Sequence, residues 1–235
     1  MVADHNEKGH FYKIMTPDKN GVVGNRYPSV TGKISIIKDE GLINYKMNQA
    51  LQYVFSKHSL FNDGNIMEHL ELASRASIEI RDEAGDIGTD VHNVREAYFK
   101  KWIETGIKPG NAVDFIPFNK DDIRIRSAIR ALDKFVLDYN YIPITTELFV
   151  YSHKLQTAGA LDDIGFIKTP IRVGNKDCQH DLIGNNCIKC DYKYKLELIL
   201  LDLKTSNQFK DHYFFQVALY YWMFYQLTGV RPDRA

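Results

Sequence analysis

The periodicity of the chain changes at "NYIPI", Asn140 to Ile144, and this change limits the folds open to it. Before it, apolar residues recur at helical spacing; after it they follow strand patterns, until a last helix over roughly His212 to Thr228. Four helices are expected ahead of the change, at Ile43–Ser56, Ile66–Arg81, Gly88–Trp102 and Lys120–Leu137. The fourth is expected to be capped by Asn119 and to carry Ile123, Ile125, Ile129, Leu132 and Phe135 mostly on one side. Beyond the change, "TELFVYS" and "GALDDIGFI" read as a hairpin linked by "HKLQTA", and "LELILLDLK" reads as a third strand. Helices, then a three-stranded unit, then a helix packed on it, make an α/β arrangement. Near the start, Pro28 disfavours helix at Tyr27, and Ser29 or Thr31 is placed to cap the next segment. Residues 1–26 are polar and expected to be irregular.

The chain is long enough for one large domain or two small ones, at 235 residues, and 44% hydrophobic content supports a real core. Thirty basic and 30 acidic residues cancel, so a globally basic nucleic-acid binder is not indicated. A basic groove beside an acidic metal site would sum to zero as well. "MVADHNEKGHFYK" has no apolar core of a signal peptide, and the most apolar stretch, Tyr213 to Leu227, is shorter than the roughly 20 residues a membrane span needs. A soluble protein with no membrane partner is expected, located in the cytoplasm. After the last helix, "TGVRPDRA" places Pro232 where helix cannot continue. Domains often add a strand at such a point, so a fragment lacking its last strands is one expectation.

Asp202 and Lys204 end the third strand two residues apart, and in a strand such residues share a face. With the polar segment 174–195 set aside as an insertion, Asp162 and Asp202 fall at hairpin separation and can lie side by side across a ladder. Glu147, in the first strand, can bring a third carboxylate. Asp163 follows Asp162 directly, and strand alternation sends it to the opposite face. Clustered carboxylates repel unless a proton or cation intervenes. Magnesium and manganese prefer such oxygen ligands, and a bound cation can polarise a phosphoryl oxygen or acidify a water. A lysine beside it can stabilise charge in the transition state. An isolated Asp-x-Lys is commonly an exposed surface pair; the neighbouring aspartate and the matched helix argue against that here.

"GALDDIG", "LLDLKTS" and Gln216-x-x-x-Tyr220 together resemble the PD-(D/E)XK nuclease superfamily in its RecB-like branch. Gly88-x-x-x-His92 in "GTDVHNVREAYF" matches the branch's upstream histidine. "YPSVT" at 27–31 is similar to the opening of phage exonucleases and of the mitochondrial genome maintenance exonuclease. The resemblance spans roughly residues 27–228 without the insertion. It implies a restriction-endonuclease-like core, a mixed sheet flanked by helices, in a single nuclease domain over 1–235. It also implies roles. Asp162, Asp202 and the Leu203 carbonyl would hold Mg2+ or Mn2+, with His92 as a further ligand and Glu147 as an acidic partner. Lys204 would be the catalytic lysine. Gln216 and Tyr220, one helical turn apart, would orient Lys204 or touch the DNA end. The expected cell is bacterial or a phage-infected host.

The insertion carries all three cysteines of the chain, in Cys178-x-His180 and Cys187-x-x-Cys190. Two close ligand pairs suit a closed, structural tetrahedral zinc. The iron–sulfur cluster of some nucleases of this branch needs four cysteines spread over both ends of the domain and is rejected. Lysines 176, 189, 193 and 195 surround the ligands, as phosphate contacts or as a solvated face. The function expected is metal-dependent hydrolysis of DNA phosphodiesters, as an exonuclease acting on ends or single strands in recombination, repair or replication. The alternatives are a structure-specific endonuclease of the same superfamily and a non-catalytic, zinc-containing nucleic-acid-binding protein.

Overall fold

The computed structural model describes residues 2–6, 9–35, 40–62, 64–120, 122–173, 191–206 and 210–235. The chain is mixed α/β. It divides into two compact units: Met1–Ile36 with Val91–Ala235, and Ile37–Asp90.

The first unit opens with strands β1 (Val2–Asn6), β2 (Gly9–Ile14) and β3 (Asn25–Pro28), paired antiparallel in chain order. The expectation of an irregular N-terminus is therefore corrected. Tyr12 and Ile14 alternate with the exposed Lys13, a period of two that buries one face of β2. Helix α1 (Val30–Ile34) follows, and Ser29 caps it by accepting a hydrogen bond from the Gly32 amide at 2.9 Å.

Helix α2 (Glu40–Lys57) and the first part of α3 (Ile66–Thr105) make up the second unit. There the His69 ring stacks on Phe61, with centroids 4.7 Å apart, and its Nδ1 lies 3.3 Å from the Tyr53 hydroxyl. The two helices expected at 66–81 and 88–102 are one. Gly85 costs the helix about 1 kcal/mol relative to alanine but does not break it, and the strong helix formers before it carry the turn through. Helix α4 (Ile123–Asp138) starts later than expected, because Asp122, not Asn119, caps it by accepting from the Arg124 amide at 2.7 Å. It buries Ile125, Ile129, Leu132 and Val136 at helical spacing, while Ile123 stays 74% exposed.

The second sheet is β4 (Ile142–Ser152), β5 (Thr157–Val173) and β6 (Asp191–Leu201), antiparallel and in that order. Its ladder runs unbroken from Asp163↔Leu201 to Val173↔Asp191. Residues 191–195, expected in the insertion, therefore belong to β6. Cys178, His180, Cys187 and Cys190 lie outside the described residues. Helix α5 (Asp211–Thr228) packs on the sheet through Tyr220, Met223 and Phe224, which meet Val150, Leu161, Ile164 and Leu200 together with Val30 and Ile34 of α1. Burying one such side chain stabilises by about 1.5–3 kcal/mol, which is what fixes α5 over the strand ends. Gly229, at φ 70°, ends α5 in the left-handed region. The chain then returns to the outer edge of β6. The Asp233 amide donates to the Leu198 carbonyl at 2.8 Å, and Ile199 and Arg234 form a parallel bridge. A mixed sheet is expected from sequence; among the described residues parallel pairing is confined to this bridge and to Ser29↔Ala158.

Candidate active site

The antiparallel register places the C-terminal end of β6 beside the middle of β5. Asp163 pairs with Leu201, so Asp202 leaves the ladder next to Asp162. Asp202 and Lys204 lie just past the last strand residue rather than inside the strand as expected. The two segments are tied directly: the Leu203 amide donates to Asp162 Oδ2 at 2.6 Å. Lys204 Nζ is 2.6 Å from Asp202 Oδ2 and 5.4 Å from the centre of the Tyr213 ring. Gln216, buried on α5, donates to Asp202 Oδ1 at 3.2 Å. His92 on α3 puts Nδ1 3.5 Å from Asp162 Oδ1. His92, Asp162, Leu203, Asp202, Lys204 and Gln216 thus form one connected set. Tyr220 is only 4% exposed and sits in the core with its ring against Gly159.

Two residues that the sequence reading did not assign complete the centre. Arg95, fully buried, stands three residues after His92 and so shares its helix face. Its guanidinium pairs with Glu147, reaches Asp162 Oδ2 at 2.8 Å and lies 3.4 Å from Asp163 Oδ2. Asp163 is 2% exposed and belongs to the same cluster, not to the opposite face. The alternation fails for a local reason. Glu147, lying between the pairs Thr146↔Asp163 and Leu148↔Leu161, has φ 53°, in the left-handed region that a non-glycine residue rarely adopts. The ladder also shifts register between Pro143 and Thr145. Leu161 and Ile164 then both enter one core cluster, and the two aspartates between them both reach Arg95.

Charge in this cluster is set by burial and neighbours. Burial works to raise Asp162, but His92, Arg95 and the Leu203 amide hold its pKa at about 2. Burial pushes Asp163 up to about 7 in spite of Arg95. Burial also raises Glu147 and Asp202, against the pull of Arg95 on the first and of Lys204 on the second. The Arg95 charge, disfavoured by burial, is restored by Asp163 and Asp162.

A cavity of about 270 Å3 lies beside the centre, lined by Leu132 and Phe135 of α4 with Asp163, Arg95, Asp202 and Lys204. A second hollow of about 580 Å3 borders the α5 side, with Tyr213, Phe214 and Tyr221. Asp202 and Lys204 border both. The ligand atoms of His92, Glu147 and Asp162 lie within 4.8 Å of one another, close enough to hold a cation. Carboxylate oxygens with one imidazole are hard or borderline donors, a set that divalent cations accept. No family model, curated protein or solved structure matches the chain. Among the described residues no helix is long and apolar enough to cross a membrane.

Proposed function

We propose that this chain is a magnesium- or manganese-dependent deoxyribonuclease of the PD-(D/E)XK type, acting as an exonuclease on DNA ends. The observation that carries the reading is the hydrogen bond from the Leu203 amide to Asp162, which draws the Asp-x-Lys segment onto the neighbouring strand's aspartate. An exposed Asp-x-Lys pair has no reason to be fastened there, with Asp202 and its side-chain oxygens almost fully enclosed.

Asp162 and Asp202 would hold the cation, with His92 and the Leu203 carbonyl. Bound there, the cation would supply Lewis-acid activation of the phosphodiester. The protein's own groups supply the rest. Asp162, kept ionised by His92 and Arg95, offers a carboxylate at neutral pH. Gln216 fixes the rotamer of Asp202. Lys204, held between Asp202 and the Tyr213 ring, presents an ammonium where negative charge develops on the phosphoryl oxygens.

The test is a time course on end-labelled single- and double-stranded DNA with Mg2+ or Mn2+. Products laddering from one end are expected, with none in EDTA. Internal cuts at junctions or flaps would instead indicate an endonuclease. No cleavage of any substrate with either cation overturns the proposal.

A further inference from the structure

The His92–Glu147–Asp162 group that could enclose a cation already has one beside it. Two of its three members, Glu147 and Asp162, are ion-pair partners of the Arg95 guanidinium. The third, His92, has Nδ1 3.2 Å from Arg95 Nη1. Arg95 is 0% exposed, and its side chain cannot lose its proton within the pH range of a folded protein. Its charge is therefore permanent and fixed in place. A metal ion bound by all three residues would have to share their lone pairs with this guanidinium at a distance where two positive charges repel strongly.

We infer that Arg95 is the resident cation of the His92–Glu147–Asp162 group, a positioning residue that limits the centre to a single exchangeable divalent ion on the Asp162–Asp202 side. This rests on the nuclease reading and deepens it. Glu147 is committed to Arg95, not to a metal. The second ion that two-metal nucleases hold about 3.5–4 Å from the first is replaced by a side chain. One carboxylate, Asp162, spans both sides of the centre: Oδ2 meets Arg95 and the Leu203 amide, and Oδ1 faces His92.

The test is a Mn2+ titration of the full chain followed by electron paramagnetic resonance of the free ion. The ions counted are those lost in Asp162→Asn, and cleavage is measured in parallel. Wild type is expected to bind one such ion. Arg95→Gln, verified as folded by circular dichroism, is expected to bind a second, which Arg95→Gln/Glu147→Gln loses again. Two ions in the wild type, or only one in folded Arg95→Gln, overturn the inference while leaving the nuclease reading intact if DNA is still cleaved. If Arg95→Gln does not fold, Glu147→Gln decides: the ion that Asp162→Asn loses should still bind, because Glu147 is no ligand, and its loss in folded Glu147→Gln overturns the inference. No Mn2+ bound and no cleavage would defeat both readings together.

Discussion

Lys204 and Asp163 are enclosed ionisable groups whose substitution should have quite different effects. Lys204 contacts its partners but fills no core, with its side chain 24% exposed. Lys204→Ala should lower cleavage by about 10²–10³-fold, the typical loss of one group that stabilises transition-state charge, with DNA binding and fold retained. Unchanged turnover by the purified variant would remove Lys204 from its role. Asp163 affects stability instead. Its folded-state pKa of about 7 lies above the ordinary 3.8, so the fold favours the protonated form. That contribution is complete at low pH and is lost as pH rises from about 4 to about 7. Asp162, held at about 2, does the opposite: its contribution is present above about 4 and is lost as pH falls toward 2. In EDTA, urea melts should show wild type less stable at about pH 8 than at about pH 5 by on the order of 2–4 kcal/mol from Asp163. Asp163→Asn should lack that loss, and an identical pH dependence in the variant would contradict the account. Strand spacing placed Asp162, Asp202 and Lys204 together in the sequence, and the resemblance added His92 and Gln216; the structure brings all five into one connected set. Arg95 was not legible, because an arginine on a helix is usually solvated, and only tertiary packing reveals that it is buried. Asp163 was misassigned because one left-handed residue on the facing strand, Glu147, is invisible to a rule of strict alternation.

Strand β5 bears much of the site's geometry, and two of its glycines are small for identifiable reasons. A Cβ on Gly159 would stand 2.7 Å from Tyr220 Cε1 and 3.0 Å from its hydroxyl. A Cβ on Gly165 would meet the Tyr141 ring at 2.4 Å and the Ile142 carbonyl at 2.5 Å. Gly165→Ala should therefore destabilise by roughly 1–3 kcal/mol in a denaturant melt, since backbone as well as a buried ring must shift. Gly159→Ala should press mainly on Tyr220 and, through the turn below Gln216, reduce cleavage more than it reduces stability. Equal melts for wild type and Gly165→Ala would mean that β4 yields more easily than its packing suggests. Elements of this kind were readable where the periodicity was long and plain, as in α4, α5 and the three strands of the second sheet. Boundaries were less so. Two helices were expected at 66–81 and 88–102 where one runs through, and the short strands β1 to β3, rich in polar residues, lack the apolar runs that mark a strand without its partner.

For the molecule as a whole, the paired ends of β5 and β6 make the intervening segment separable. Val173 and Asp191 face each other across the ladder, so a chain that leaves at one re-enters beside it. Replacing residues 174–190 by a two-residue Asn-Gly turn should leave the sheet folded and cleavage measurable. By the ligand spacing of Cys178, His180, Cys187 and Cys190, the full chain should copurify with about one zinc, and the shortened chain with none. Elemental analysis finding no zinc in the full chain, purified without chelator, would refute the zinc assignment. Arg95 bears on the whole fold in another way. A buried guanidinium tolerates few alignments of the strands opposite it. Sliding β5 by one residue would set Leu161 or Ile164 where one of the two aspartates now answers the charge, leaving the buried guanidinium one carboxylate short. The ion cluster thus acts as a proofreader of strand alignment: Arg95 finds its full set of carboxylates only in the arrangement of the sheet that also brings Asp162 beside Asp202.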